Sequence, residues 1–246
     1  MKANTKVAVA LIRDLLYADD CDLVAHTEED LQDLVTCFDT SCKAFGLEIN
    51  LKKTEVMLQV APGRECLKPK VFVGEKELKV VKSFTYLGSV LSDDGGMEKE
   101  ISSRIQKASM AFGNLESRLW SRHGVSLYTK ISIYNTSVLS ALLYGCETWM
   151  IYKHQLKKLE RFHQRCLRHI LRIKWTVPTP DTEILERCKL MSVEAIITRQ
   201  SLRWSGHLVR MGESRIPKQL VYGDLSLGMR SNQNQSKSTK TLSNQI

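Results

Sequence analysis

Asp19 and Asp20 stand side by side in Leu-Leu-Tyr-Ala-Asp-Asp-Cys-Asp-Leu-Val-Ala, residues 15–25, with an apolar run on each side. Adjacent carboxylates repel, and divalent cations with oxygen ligands cancel that repulsion. Two such ions about 3.5–4 Å apart clamp the attacking and leaving oxygens of an in-line displacement, so the chemistry on offer is two-metal phosphoryl transfer. An acidic turn uses the same dipeptide, because Asp favours turns. A second pattern lies between Lys153 and Lys174, where eight Lys or Arg residues accompany one acid, Glu160. At about 100° per residue, Lys157, Arg161, Arg165, Arg168 and Arg172 fall within about an 80° sector. Such a stripe can track a phosphate backbone with an affinity that falls as salt rises. A solvated helix face is the alternative, and the scarcity of acids to pair with weighs for phosphate contact. Leu159, Phe162, Cys166, Ile170 and Ile173 take the opposite side, which is expected to be buried.

The elements that must position these residues follow from periodicity. Short apolar runs at Leu15–Tyr17 and Leu23–Ala25 read as buried strands of a hairpin with Asp19-Asp20 at its tip. From Glu28 to Phe45, apolar residues recur at helical spacing, with Thr27 as N-cap, Asp30 three residues on and Gly46 as C-terminal stop. Residues 47–51 alternate with period two and read as a strand, as do Glu55 to Val60 and, ending in Gly, Val80 to Gly88. Ile101, Ile105, Ala108, Phe112, Leu115 and Leu119 predict an amphipathic helix over 97–120. Leu127, Ile131, Tyr134, Val138 and Leu142 predict another, with Ser126 as N-cap and Gly145 near its end.

The series Tyr17-Ala18-Asp19-Asp20, Phe45-Gly46-Leu47-Glu48-Ile49-Asn50 with Lys52-Lys53-Thr54, then Phe84-Thr85-Tyr86-Leu87-Gly88, resembles in order and spacing the reverse transcriptases of LINE-type (non-long-terminal-repeat) retrotransposons. The resemblance continues through Leu143 to Trp149, Arg203 to Met211 and Arg215 to Gln219, and so covers roughly residues 11–223. It implies an RNA-directed DNA polymerase that extends a DNA primer on an RNA template with Mg2+. Asp19 and Asp20 would bind the metal ions in the palm. Lys53 would neutralise or protonate the leaving pyrophosphate, although it reads equally as a solvated strand-end lysine. Phe84, Tyr86, Leu87 and Gly88 would form a primer grip, with core packing the simpler role of the aromatics. Asp22 departs from the pattern, standing where an apolar or small residue is expected. The family also uses a further aspartate on an earlier palm strand and a fingers region. Only Asp14 precedes Asp19 as a carboxylate, on the same strand as Tyr17, so catalysis by this chain is expected to be lost or negligible. Two alternatives are a non-catalytic nucleic-acid-binding remnant and a translated pseudogene product.

Composition agrees with a folded chain. Of 246 residues, 43% are hydrophobic and 26% charged. No run approaches the roughly 20 apolar residues of a membrane span, and no signal peptide is evident. The segment through Met97 carries a net charge of −4 and the remainder +13, together the overall +9, as an acidic metal-binding half and a nucleic-acid-gripping half require. The seven cysteines are scattered without a Cys-x-x-Cys pair, the pattern of reduced thiols in an intracellular protein of nucleus or cytoplasm. Cys146, Cys166, His169 and Cys188 fit no compact zinc spacing, which favours buried thiols over a metal site. The expected fold is α+β: a partial polymerase palm with its grip-like strand over 1–97, a helical thumb over 98–150 and a basic helical region over 151–228. A disordered tail poor in apolar residues is expected over 229–246.

Overall fold

The computed structural model describes residues 13–60, 68–174 and 176–222, and the expected tail lies outside them. Strands and helices are both present, the strands confined to the first half, so the α+β expectation holds. The chain divides after Ser201 into two units, Met1–Ser201 and Leu202–Ile246.

In the first unit, β1 (Asp14–Tyr17) and β2 (Asp20–Leu23) form an antiparallel hairpin, with Tyr17 opposite Asp20 and Leu15 opposite Asp22. Its loop is Ala18-Asp19, and Ala18 adopts φ 52, a left-handed conformation unusual for a residue with a Cβ. Helix α1 (Glu28–Ala44) follows. Thr27 Oγ1 accepts from Asp30 N at 3.1 Å, and the acids Glu28, Glu29 and Asp30 in the first turn complement the helix dipole. The helix ends in a Schellman motif: Gly46 takes φ 70, its N–H donates to Lys43 O, and Leu47 N donates to Cys42 O at 2.8 Å.

That ending overrides the period-two pattern of residues 47–51, which do not form the expected strand: 47–50 are irregular and a turn follows at 51–53. Leu47 is spent on closing α1. Asn50 then accepts from Lys52 N through its side chain and from Lys53 N and Thr54 N through its carbonyl. Local Asn turn chemistry thus outcompetes alternation. Strand β3 (Glu55–Met57), shorter than expected, pairs in parallel with β6 (Lys79–Val81), and Lys79 Nζ lies 3.0 Å from Glu55 Oε1. Between them, β4 (Phe72–Val73) and β5 (Lys76–Glu77) make a small hairpin. Strands β7 (Ser83–Tyr86) and β8 (Ser89–Ser92) make the last one. Its two-residue turn has both central residues at positive φ, Leu87 at 46 and Gly88 at 83, the primed-turn geometry that suits twisted strands. Val35, Val56, Val71 and Leu78 form the small core of this half.

Helix α2 (Glu98–Asn114) runs into a π-helical turn, Glu116–Trp120, so the expected helix over 97–120 widens at its end. Trp120 is buried there, stacks on Phe112 at 5.0 Å and donates its indole N–H to Phe112 O. After the Ser126 cap come α3 (Leu127–Ile133), a π segment (Tyr134–Leu139) and α4 (Ser140–Leu142). Ile131, Tyr134, Val138 and Leu142 are buried as the spacing requires, whereas Leu127 is exposed. Helix α5 (Lys153–Ile170) buries Leu159, Phe162, Cys166, Leu167 and Ile170 against this group, while Ile173 is only partly buried. Helix α6 (Asp181–Cys188) and the start of α7 (Val193–Arg210) complete the larger core with Ile184, Val193, Ile196 and Ile197. In the second unit, Lys218 of α8 (Ile216–Tyr222) donates to Val209 O and Met211 O, capping the end of α7.

His163 belongs to this core and not to the basic face, being fully buried with its Nδ1 2.7 Å from the Tyr134 hydroxyl. Burial pushes the His163 imidazole down to about 4, so it is neutral in the folded chain. Its ordinary value in an unfolded chain is about 6.5. Between those values the unfolded state binds the extra proton, so stability falls as pH drops from about 6.5 towards 4, by at most about 1.4 kcal/mol per pH unit. Thermal melts across that range should show a steeper loss for the native sequence than for His163→Gln.

Candidate functional site

The acidic hairpin presents its carboxylates by strand alternation. Residues directly opposite on an antiparallel pair project to one face. Asp20, Asp22, Leu15 and Tyr17 therefore share a face, while Asp14, Cys21 and Leu23 lie on the other. Asp14 does not converge with the pair. Asp19 sits in the loop, and Asp20 is the first residue of β2 and not part of the tip. Both are exposed, as are Leu16 and Tyr17, which corrects the expectation of buried flanking strands. The acids are solvated, and their repulsion is correspondingly weak. Asp22 is half-buried, and desolvation raises its carboxyl above the usual range.

Tyr86 of β7 reaches this hairpin, its hydroxyl donating to Leu15 O at 3.2 Å. Leu15 is opposite Asp22, so this bond brings Tyr86 to the acidic part of the hairpin, and its phenol is shifted up by desolvation and then by the carboxylates of Asp22 and Asp20. The structure thus brings together Asp20, Asp22 and Tyr86. Phe84 is half-buried opposite Leu91. Lys53 is exposed in the turn before β3, without an ion-pair partner among the described residues.

The Leu87-Gly88 turn is held by groups that periodicity did not single out. Glu100 and Arg104 of α2 are both buried and joined, Arg104 Nε to Glu100 Oε1, at 2.6 Å. Glu100 Oε2 accepts from Val90 N, and Arg104 donates through Nη2 to Gly88 O and Ser89 Oγ. Lys107 Nζ donates to Gly88 O at 3.2 Å, and Tyr144 donates its hydroxyl to Leu87 O at 3.1 Å. The Arg104 guanidinium lies 4.6 Å from the Tyr144 ring centre. The available signal was a charged pair four apart, directly beside the apolar positions Ile101 and Ala108.

On α5, Lys157, Arg161 and Arg165 form an exposed row with no ion-pair partner among the described residues. Two expected members of the stripe are placed differently. Helix α5 ends at Ile170, and Arg172 takes φ 56, occupying the position usually given to Gly in a helix-ending motif. Its guanidinium donates to Ser121 O and lies 2.9 Å from His123 Nδ1. Arg168 is half-buried and donates to Val177 O and Thr179 O, with Asp181 at 3.5 Å. The stripe is therefore three outward cations, one cation that anchors a loop and one beyond the helix. Pairs of thiols and histidine do not gather into a zinc site: no group of three or more His, Cys, Asp or Glu suited to a metal occurs among the described residues. Cys146, Cys166 and Cys188 are buried in the larger core, where desolvation holds their thiols protonated, Cys166 at about 12.

Removing one partner of a buried ion pair leaves the other charge uncompensated, at a cost of about 3–5 kcal/mol. Arg104→Met should lower the urea midpoint accordingly, and the double change Arg104→Met with Glu100→Leu should recover much of the loss.

Residues 5–91 match the family described as reverse transcriptase (RNA-dependent DNA polymerase). Over 212 residues the chain is 25% identical to an uncharacterized transposon-derived protein of Caenorhabditis elegans, covering 83% of this chain and 74% of that one. No solved structure matches the chain. The family match takes in the acidic hairpin, Lys53 and all of β7, so the chain is similar to a reverse transcriptase domain where its acids and Tyr86 lie, and to a transposon-derived protein over most of its length.

Proposed function

We propose that this chain is the palm and thumb portion of a LINE-type retrotransposon reverse transcriptase, acting on an RNA template and a DNA primer. The observation that carries the reading is the meeting of Tyr86 with the Asp20 and Asp22 face, within the stretch that matches the reverse transcriptase family. Asp19 and Asp20 fit Mg2+ by donor type, since both offer exposed carboxylate oxygens, the hard ligands this ion prefers. When bound, the ion would supply charge stabilisation for transfer of a nucleotidyl group. The 3′ hydroxyl oxygen of the primer would give up its proton to solvent and form its bond to the α-phosphorus as the bond to pyrophosphate breaks. Lys53, exposed and without an acidic partner among the described residues, would offset charge on the departing pyrophosphate. Phe84, Tyr86 and the Leu87-Gly88 backbone would hold the primer end, and α2 with Tyr144 fixes that turn.

A second reading, binding without catalysis, is favoured by one observation. Asp14 lies on the opposite face of the hairpin from Asp20 and Asp22, so no third carboxylate on β1 completes a metal site. The outward row Lys157, Arg161 and Arg165 would still hold phosphates.

Primer extension with Mg2+ and deoxynucleotides, beside filter binding of the same primer-template, separates the readings. Incorporation that Asp19→Ala or Asp20→Ala lowers at least about 100-fold supports the polymerase. Salt-sensitive binding with no incorporation assigns the second reading instead.

A further inference from the structure

Tyr144 belongs to the Leu143 to Trp149 stretch, which lies beyond the residues 5–91 that match the reverse transcriptase family. Around it, Leu142, Leu143, Cys146 and Trp149 are buried in the larger core, so its backbone is anchored. Tyr144 itself is 52% exposed. Three contacts nonetheless fix its ring. The hydroxyl donates to Leu87 O, the Arg104 guanidinium lies over one face at 4.6 Å, and Gly88 stands against an edge, where an added Cβ would meet Cε1 at 3.6 Å. With one face and one edge covered, the exposure falls on the opposite face.

A side chain that is ordered only when a partner arrives loses its rotamer freedom at that moment. This one has lost it on folding, so contact with its open face costs little further entropy. Its surroundings state the kind of partner. Gly88 O has both lone pairs engaged, by Arg104 and Lys107, and Leu87 O receives Tyr144, so the turn has little acceptor capacity left. What projects from it is a flat π-face, the exposed Leu87 side chain and the Lys107 ammonium. Lys107 is exposed and has no ion-pair partner among the described residues. A flat apolar surface beside a cation suits a nucleotide, ring against base or sugar and ammonium against phosphate.

Resting on the primer-binding reading above, we infer that the open face of Tyr144 packs flat on the last nucleotide of the primer strand, while Lys107 pairs with a phosphate of that strand. Tyr144 is then both a support for the turn and a wall of the site the turn builds. A strand end is the right place for such a wall. Inside a duplex each nucleotide is covered by neighbours on both sides, whereas the last one has none on its 3′ side. Arg104 closes the other face of the ring, so a single nucleotide fills the place.

The test is fluorescence anisotropy of the full chain with a labelled DNA primer annealed to a longer RNA template, over a salt series. A control is the same duplex closed by loops at both ends, which has no free 3′ terminus. Tyr144→Leu should weaken primer-template binding at least about fivefold, the low end for one ring-on-base contact, and leave the closed duplex unmoved. Tyr144→Phe, which keeps the ring and loses the bond to Leu87 O, should stay within about threefold of the native chain. Lys107→Ala should lower the salt slope by about 0.9. With an abasic last nucleotide, disappearance of the Tyr144→Leu effect assigns the contact to the base, and its persistence assigns it to the sugar. Native affinity in Tyr144→Leu, or an equal loss on the closed duplex, overturns the inference while the nucleic-acid reading stands. So does a loss in Tyr144→Phe as large as in Tyr144→Leu, since the residue then acts only through the turn. Absence of salt-sensitive binding to either probe overturns both. If Tyr144→Leu fails to melt cooperatively, nitration of the native chain by tetranitromethane decides. Primer-template should shield Tyr144 but not Tyr128, which is 84% exposed, and equal nitration of the two overturns the inference.

Discussion

Much of this molecule depends on one buried ion pair. Arg104 and Glu100 are both withdrawn from water, which is costly unless every polar atom is met. Here the surplus valences are spent on the neighbouring strands. Glu100 reaches Val90 N, Arg104 reaches Gly88 O and Ser89 Oγ, and Tyr144 covers the guanidinium while holding Leu87 O. The pair therefore serves less as an attraction between two charges than as a bracket between a helix and a hairpin turn. Since the same hairpin carries Tyr86 to the acidic face, the helical half sets where the grip-like strand lies relative to Asp20 and Asp22.

A second fixture holds α5. Its inner side is apolar apart from Gln155 near its start and His163, which meets the Tyr134 hydroxyl in the larger core. Its outer side shows cations. The seam between them is where Glu160 and Gln164 lie, polar residues bound into the packing against α7. The helix is thus held at fixed rotation, with Lys157, Arg161 and Arg165 turned outward.

Where one local rule acts alone, the fold could be read from residue types. Thr27, Gly46 and Ser126 each terminate a helix by a mechanism their side chains dictate, and each does so here. The apolar side of α5 was equally plain. Reading failed where two rules competed. Residues 47–51 alternate like a strand, but Gly46 and Asn50 impose a helix end and a turn on either side. Arg172 continues the angular stripe, yet its backbone turns left-handed with no glycine to announce it. For the candidate site, Asp19, Asp20 and the Phe84 to Gly88 stretch were found by pattern. The groups that fix them, Arg104 and Tyr144, were not, because their partners are backbone carbonyls distant in sequence. Whether acids lie on one face or two needed the strand register, which Tyr17 opposite Asp20 settles.

The strands of the first half are all paired two by two among the described residues, never joined into one wide sheet. An isolated two-stranded ribbon is marginally stable in water. Cohesion there comes from side chains and from α1 and α2, not from a continuous ladder. This carries an order of assembly. The helical core, rich in contacts between near neighbours, can condense early, and the hairpins gain their persistence only on docking to it. The acidic face would then be the last part of the first unit to acquire its form, and the first to lose it.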